Sequence, residues 1–185
     1  MKFRAILGLL LVSAACAVLP LAAEAPTIWI DVPFVAQPRD GCGSAVISMV
    51  LQYWANKNGQ SSPDFADPAK IQNALFSPAL GGIAASSMQA YFQGFGYRTF
   101  AFRGEWVDLK HHLEQGRPLI VSLKASGPHG PLHYVVVVGI DSERGYLFVN
   151  DPAQQKMLRI SRQGFESEWA PEHAWTLLVV PRTDN

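Results

Sequence analysis

Four consecutive valines at positions 135–138 constrain the fold of this chain more than any other segment. A strand with one face in water alternates apolar and polar residues, whereas an unbroken apolar run belongs to a strand that is covered on both faces. We therefore expect a strand over residues 133–140 that lies near the centre of a sheet. The same half of the chain predicts four more strands, over residues 118–123, 146–150, 157–160 and 174–180.

Helical spacing dominates the first half of the chain. Apolar residues recur three and four positions apart over residues 41–55, and Asn58-Gly59 ends this predicted helix. Asp67 and Pro68 suit the N-cap and the first position of a second helix. With that helix at 68–76, others are predicted at 86–93, 105–115 and 162–169, and further strands at 28–35 and 97–102. Because helices come first and an antiparallel sheet second, the sequence predicts an α+β fold with N-terminal helices packed on a C-terminal antiparallel sheet.

The N-terminus has the features of a secretory signal. Two basic residues, Lys2 and Arg4, precede an apolar run, and small residues follow it. We predict a signal peptide over residues 1–23 and a mature domain over residues 24–185 that is exported to the periplasm or the extracellular space. The alternatives are an uncleaved N-terminal anchor and a lipid attached to Cys16, the two cases in which the protein would contact a membrane.

Charge and composition exclude several classes of partner. Fifteen basic and fifteen acidic residues give a formal net charge of zero, and no basic cluster indicates nucleic acid. The neighbouring His111 and His112 lack an i, i+4 partner for a metal site, so we expect no metal and no cofactor. The chain is 49% hydrophobic, which is typical of a globular domain.

Cys42 is the one cysteine outside the predicted signal peptide. An exported protein with a single cysteine has no internal disulfide, so Cys42 is either an inert core residue or a reactive thiol. It lies at the predicted start of an apolar helix, where free N–H groups and the helix dipole favour the thiolate. Gly41 and Gly43 leave room for a substrate backbone, which favours the reactive thiol, although these local features leave both interpretations open.

A thiolate nucleophile needs a general base, and His133 is the histidine that opens the predicted central strand. A hairpin turn centred near Glu143 places Asp151 diagonally across from His133, on the same face of the sheet. A register shift of one residue would bring Asn150 to that face instead, and either side chain can accept from the imidazole N–H. Taken singly, His133 is also compatible with a strand-edge histidine and Asp151 with a turn residue.

Gln37 is a candidate for a third kind of catalytic group. It precedes Cys42 by five residues. Its side-chain amide could donate to the oxyanion of an acyl-transfer intermediate, together with the backbone N–H of Cys42. A solvated loop glutamine is the alternative interpretation.

Four segments of the chain, taken in order, match the motifs of a known family: Gln37-x4-Cys42-Gly43, the helix sequence AVISMVLQYW, the strand that begins His133-Tyr134, and Asn150-Asp151-Pro152. This combination resembles the bacteriocin-processing cysteine peptidases, which are papain-like domains that remove double-glycine leader peptides. The resemblance implies a papain-like fold, and it implies these roles: Cys42 as nucleophile, His133 as general base and acid, Asp151 as orienting group and Gln37 as oxyanion donor.

The chain departs from the exporters of that family, in which this domain is fused to transmembrane and ATPase regions, and is more similar to stand-alone exported members. Gly41, with Asp40 one position earlier, stands where the family often has aspartate. The resemblance implies an exported peptidase that hydrolyses a peptide or protein substrate, with glycine or another small residue before the cleaved bond. A thiol acyltransferase at the same site and a catalytically silent peptide-binding module are the alternatives.

Overall fold

The computed structural model of the protein describes residues 27–124 and 132–182. The predicted signal peptide, residues 1–23, and Cys16 lie outside the described residues. Within the two described ranges, no helix is both long enough and apolar enough to cross a membrane.

Five α-helices and seven β-strands make up the described part of the chain. The helices are α1 (Cys42–Lys57), α2 (Pro68–Leu75), α3 (Ala85–Gly94), α4 (Trp106–Glu114) and α5 (Arg162–Trp169). The strands are β1 (Ile28–Trp29), β2 (Tyr97–Arg103), β3 (Leu119–Lys124), β4 (Leu132–Asp141), β5 (Tyr146–Asn150), β6 (Leu158–Ser161) and β7 (Trp175–Pro181). They form one antiparallel sheet in the order β2-β7-β3-β4-β5-β6, and β1 pairs with the end of β4.

The predicted central strand is β4, which lies between β3 and β5. All four of its consecutive valines are fully buried. Val136 and Val138 face an apolar cluster built with α1, while Val135 and Val137 face a second cluster that includes apolar residues of α4 and α5. Helices therefore cover both faces of the strand, which explains the apolar run and confirms the predicted α+β fold.

Helix α1 carries Cys42 as its first residue and is buried on almost all sides. Twelve of its 16 residues are buried, so it packs as a core helix rather than as a surface helix. It begins at Cys42, one residue after the predicted start, and ends at Lys57, two residues after the predicted end, with Asn58 as its C-cap. A Cβ at Gly43 would lie 2.9 Å from Cβ of Ile83, so only glycine allows the segment before α3 to pack against the first turn of α1.

The predicted strand over residues 28–35 is wrong in its length. Strand β1 ends at Trp29, although the N–H of Ile30 still donates to the carbonyl of Val138 at 2.8 Å. Pro33 has no N–H to continue a ladder, and the chain runs on as a loop to Gln37. The other predicted helices and strands are observed, with their ends shifted by at most about two residues, a normal uncertainty for such boundaries.

Candidate active site

The approach to Cys42 is a tight turn that ends in helix α1. Asp40 has a left-handed backbone, with φ of 55°, and Gly41 follows it. A Cβ at Gly41 would lie 2.6 Å from Cδ of Pro38, so this position accepts only glycine. The turn leaves Cys42 half-buried at the start of the helix, where the side chain of His133 lies near enough to lower the pKa of its thiol.

His133 and Asp151 form the second contact of the site. Nε2 of His133 lies 2.7 Å from Oδ1 of Asp151. Because this carboxylate occupies Nε2, Nδ1 is the ring nitrogen that remains for the thiol of Cys42. The two side chains are 19% and 5% exposed, which shields their hydrogen bond from water. The structure thus brings Cys42, His133 and Asp151 together in that order.

The register of β4 against β5 produces the contact between His133 and Asp151. Near His133 the strands pair as predicted, with Asn150 opposite Val136 and Val149 opposite Val137. A bulge after Val137 shifts the pairing by one residue, but only on the side towards the hairpin turn. Asp151, just beyond the end of β5, therefore comes within reach of the histidine.

Asn150, the alternative orienting residue, has a different role. Its side chain is fully buried, and its Nδ2 donates to the carbonyl of Val32 at 3.0 Å. Its Oδ1 accepts from the backbone N–H of Met157 at 3.0 Å. The amide of Asn150 joins two loops, and it is Asp151 that contacts His133.

The carboxylate of Asp151 has two further donors that the sequence analysis did not identify. Its Oδ1 also accepts from the N–H of Ala153 at 2.9 Å, and its Oδ2 accepts from Nε2 of Gln154 at 2.6 Å. The signal was the sequence Asp151-Pro152, since an aspartate followed by proline starts a turn that folds the next residues back over the carboxylate.

The hydrogen bonds and charges of the site outweigh the effect of burial on its pKa values. Burial acts to raise the pKa of Cys42, but the contact with His133 and the N–H groups of Tyr134 and Gly43 bring it below its ordinary value. Burial acts to lower the pKa of His133, but its bonds with Asp151 and Cys42 raise it to about 9. Burial also opposes the charge of Asp151, yet its donors hold that pKa below the ordinary range. Between the pKa values of the thiol and the imidazole, the pair is a thiolate and an imidazolium.

Asp151→Asn is expected to lower the pKa of His133 from about 9 towards its ordinary 6.5, because burial then opposes the imidazolium without a carboxylate to stabilise it. An NMR titration of the ring protons measures this pKa. Asp141→Asn is the matched control, since Asp141 ends the same strand and pairs with Arg144 instead. A pKa that stays near 9 after Asp151→Asn would contradict the assignment.

A cleft with a volume of about 480 Å³ lies over Cys42, His133 and Asp151, and Gln37 lines it. The backbone N–H of Gln37 donates to the carbonyl of Pro152 at 2.9 Å, which joins its loop to the turn after Asp151. Its side-chain Oε1 is buried and has no hydrogen-bond partner among the described residues. The structure therefore places all four predicted site residues at one cleft.

Other walls of the cleft were not predicted from the sequence. Leu123, which pairs with His133 across β3 and β4, forms an apolar wall together with Leu158 and Ile160 of β6. Charged side chains also line the cleft: Asp40, Lys124, Arg159 and Glu168. Within the described ranges, no three metal-binding side chains converge.

The chain matches a family model and several solved structures. The model of the Peptidase_C39 like family matches residues 29–174, which is most of the chain. A search of the curated proteins finds no match.

Several solved structures share the fold. A protein described as a C39-like peptidase from Bacillus anthracis is 17% identical, with a TM-score of 0.65 over 86% of this chain and 100% of its own. The peptidase domain of Streptococcus ComA, a bifunctional ABC transporter of a quorum-sensing pathway, is 23% identical, with a TM-score of 0.62 over 82% of this chain and all of its own. A double-glycine-motif protease from an AMS/PCAT transporter, solved with a leader peptide, is 20% identical, with a TM-score of 0.62 over 83% of this chain and 94% of its own.

Proposed function

Because the chain belongs to the Peptidase_C39-like family, we propose that it is an exported cysteine peptidase that hydrolyses peptide bonds at Cys42. The family and the fold support a papain-like peptidase. The nucleophile, the residues that assist it and the site of action in or outside the cell are our proposal. The predicted signal peptide, residues 1–23, is the basis for export.

The proposed reaction has two steps. The thiolate of Cys42 attacks the carbonyl carbon of the scissile bond, and the carbonyl oxygen becomes an oxyanion that the N–H of Cys42 and the amide of Gln37 stabilise. His133 gives its proton to the leaving nitrogen, the C–N bond breaks, and a thioester remains. A water molecule then attacks the thioester while neutral His133 takes its proton, and the C–S bond breaks. This step releases the carboxylic acid and restores the thiolate–imidazolium pair.

The contact chain from Asp151 through His133 to Cys42 is the observation that carries this proposal. Asp151 lies 2.7 Å from one ring nitrogen of His133, and the other nitrogen remains for the thiol. Opposite shifts in the pKa values of Cys42 and His133 favour the ion pair that such a reaction needs. A silent binding module has no need for a charged pair in a cleft.

We propose a polypeptide as the substrate of the cleft. One structural neighbour was solved with a leader peptide, which supports a peptide substrate for this chain as well. Glycine or another small residue before the cleaved bond is part of the proposal because that neighbour is a double-glycine-motif protease. The expected room for a substrate beside Gly41 and Gly43 is not available, since Pro38 and Ile83 occupy it.

Hydrolysis in ¹⁸O-labelled water tests the proposal. The protein is incubated with a degenerate peptide mixture, with and without an added amine, and the products are identified by mass spectrometry. New C-termini that carry ¹⁸O support a hydrolase. Products joined to the amine in preference to water indicate an acyltransferase, and peptides that remain uncut but bound indicate a silent module; either result would overturn the proposed hydrolysis.

A further inference from the structure

We propose that Gln154 is a positioning residue that holds the carboxylate of Asp151 in the orientation that His133 requires. The inference rests on the proposed function for its catalytic consequence, but its structural basis is independent of any substrate. Nε2 of Gln154 donates to Oδ2 of Asp151 at 2.6 Å, on the side of the carboxylate that His133 does not use.

The two oxygens of Asp151 are held by different donors. Oδ1 accepts from His133 at 2.7 Å and from the N–H of Ala153 at 2.9 Å. Among the described residues, Oδ2 accepts only from Gln154. A carboxylate turns readily about its last side-chain bond, and a donor on Oδ2 opposes that rotation in addition to the donors on Oδ1. Gln154 therefore helps to keep Oδ1 directed at the imidazole, together with the N–H of Ala153.

The burial of the two partners shows which of them depends on the bond. Asp151 is 4% exposed, and a buried carboxylate oxygen without a donor is costly. Gln154 is exposed, so its amide could be satisfied by water instead. The hydrogen bond is therefore required by Asp151, and a second bond, from the N–H of Gln154 to the carbonyl of Asp151 at 3.0 Å, holds the turn that makes it possible.

Other charged groups of the cleft do not substitute for Gln154. Four of them line it from other segments of the chain: Asp40, Lys124, Arg159 and Glu168. None of the four hydrogen-bonds to Asp151, and the guanidinium of Arg159 lies over the ring of Tyr146 instead, 4.7 Å from its centroid. The orientation of the carboxylate thus depends on the turn that follows it.

Two substitutions at Gln154 separate its hydrogen bond from its bulk. Gln154→Met keeps the length of the side chain and removes the donor, whereas Gln154→Lys keeps a donor and adds positive charge. The matched control is Gln155→Met, because Gln155 is the next residue, is exposed, and its side chain makes no hydrogen bond to the described residues.

For Gln154→Met we expect kcat to fall by between about tenfold and about a hundredfold, with little change in KM, because misdirected catalytic groups affect the transition state. The pKa of His133, read by NMR, should fall from about 9 towards 6.5 as its contact with the carboxylate weakens. Gln154→Lys should recover most of kcat when it is assayed below the lowered pKa of His133, because the lysine again donates to the carboxylate. That pKa itself stays low, because the ammonium opposes the imidazolium.

Three results would overturn the inference: a pKa of His133 that Gln154→Met does not change, equal losses in Gln154→Met and Gln155→Met, or no recovery of kcat in Gln154→Lys. The NMR measurement needs no substrate. If the wild-type protein cuts no peptide but Gln154→Met still lowers this pKa, the positioning role stands and the proposed peptidase function fails.

Discussion

Replacing Cys42 with alanine is expected to abolish peptide hydrolysis. Loss of the nucleophile in a triad lowers kcat by about 10⁴-fold to about 10⁶-fold, because the rest of the site cannot form the covalent intermediate. Cleavage of an internally quenched peptide chosen from the degenerate mixture measures this change. Cys42→Ser is a second test, since its alcohol can hydrogen-bond with His133 but does not ionise near neutral pH.

The Cys42→Ala protein should keep its fold. Cys42 is half-buried at the start of α1, and alanine is a better helix former than cysteine. The free energy of unfolding, measured by thermal denaturation, should therefore change by no more than about 1–2 kcal/mol. Full hydrolysis by a folded Cys42→Ala protein would exclude Cys42 as the nucleophile. If Cys42→Ala does not fold, the same measurement is made on Cys42→Ser, which keeps a side chain of similar size.

The sequence predicts the central part of the fold well because burial leaves a direct trace in the residue pattern. Four consecutive valines in β4 can be accommodated only between two layers of helices, and that is where they lie. Helix α1 was predicted in the same way from its apolar spacing, and the cap at Asp67 from its side-chain chemistry, with its Oδ1 accepting the N–H of Ala69 at 2.8 Å. Each of these is a local rule that one segment satisfies by itself.

The register of the β4–β5 hairpin was also predictable, and it brings two of the site residues together. A short turn defines which residues lie opposite one another, so the proximity of Asp151 to His133 could be predicted without a structure. The sequence did not decide whether Asp151 or Asn150 contacts His133. The answer depends on the bulge after Val137 and on the hydrogen bonds that the amide of Asn150 makes with Val32 and Met157. Both depend on packing against distant segments.

Contacts between segments far apart in the chain were not predictable. The close approach of Ile83 to Gly43 and the hydrogen bond from Gln37 to Pro152 involve residues with no recognisable common pattern. The early end of β1 has a related cause, because the sheet offers it pairing only at the last residues of β4. Residues 30–35 have a local preference for a strand, but within the described part of the chain the sheet has no neighbouring strand with which they could pair further.

Electrostatics gives the site a defined range of working pH. Below the pKa of Cys42 the thiol is protonated, and above about 9 His133 loses its proton, so the ion pair exists between the two values. Hydrolysis should consequently fall at both ends of this range. The alkaline limit belongs to His133, whose pKa depends on Asp151, while the acidic limit belongs to the thiol and depends on His133.

Replacing His133 with alanine is expected to suppress the reactivity of Cys42 at neutral pH. Without the imidazole, burial remains as the main influence on the thiol and raises its pKa, so the thiolate fraction falls about tenfold for each pH unit of that shift. We expect alkylation by iodoacetamide to slow by about a hundredfold at pH 6 and to rise only near or above the free-thiol pKa of about 8.5. The rate is measured between pH 4 and pH 10 on the peptide that contains Cys42.

The control for this experiment is His111→Ala, an exposed histidine on α4 that hydrogen-bonds with Gln115 and does not line the cleft. Its alkylation profile should match that of the wild-type protein. If Cys42 titrates at the same pH in the wild-type protein and in His133→Ala, the thiol is not activated by His133. The ion pair would then be absent in solution, and the contact between these two side chains could not support peptide hydrolysis.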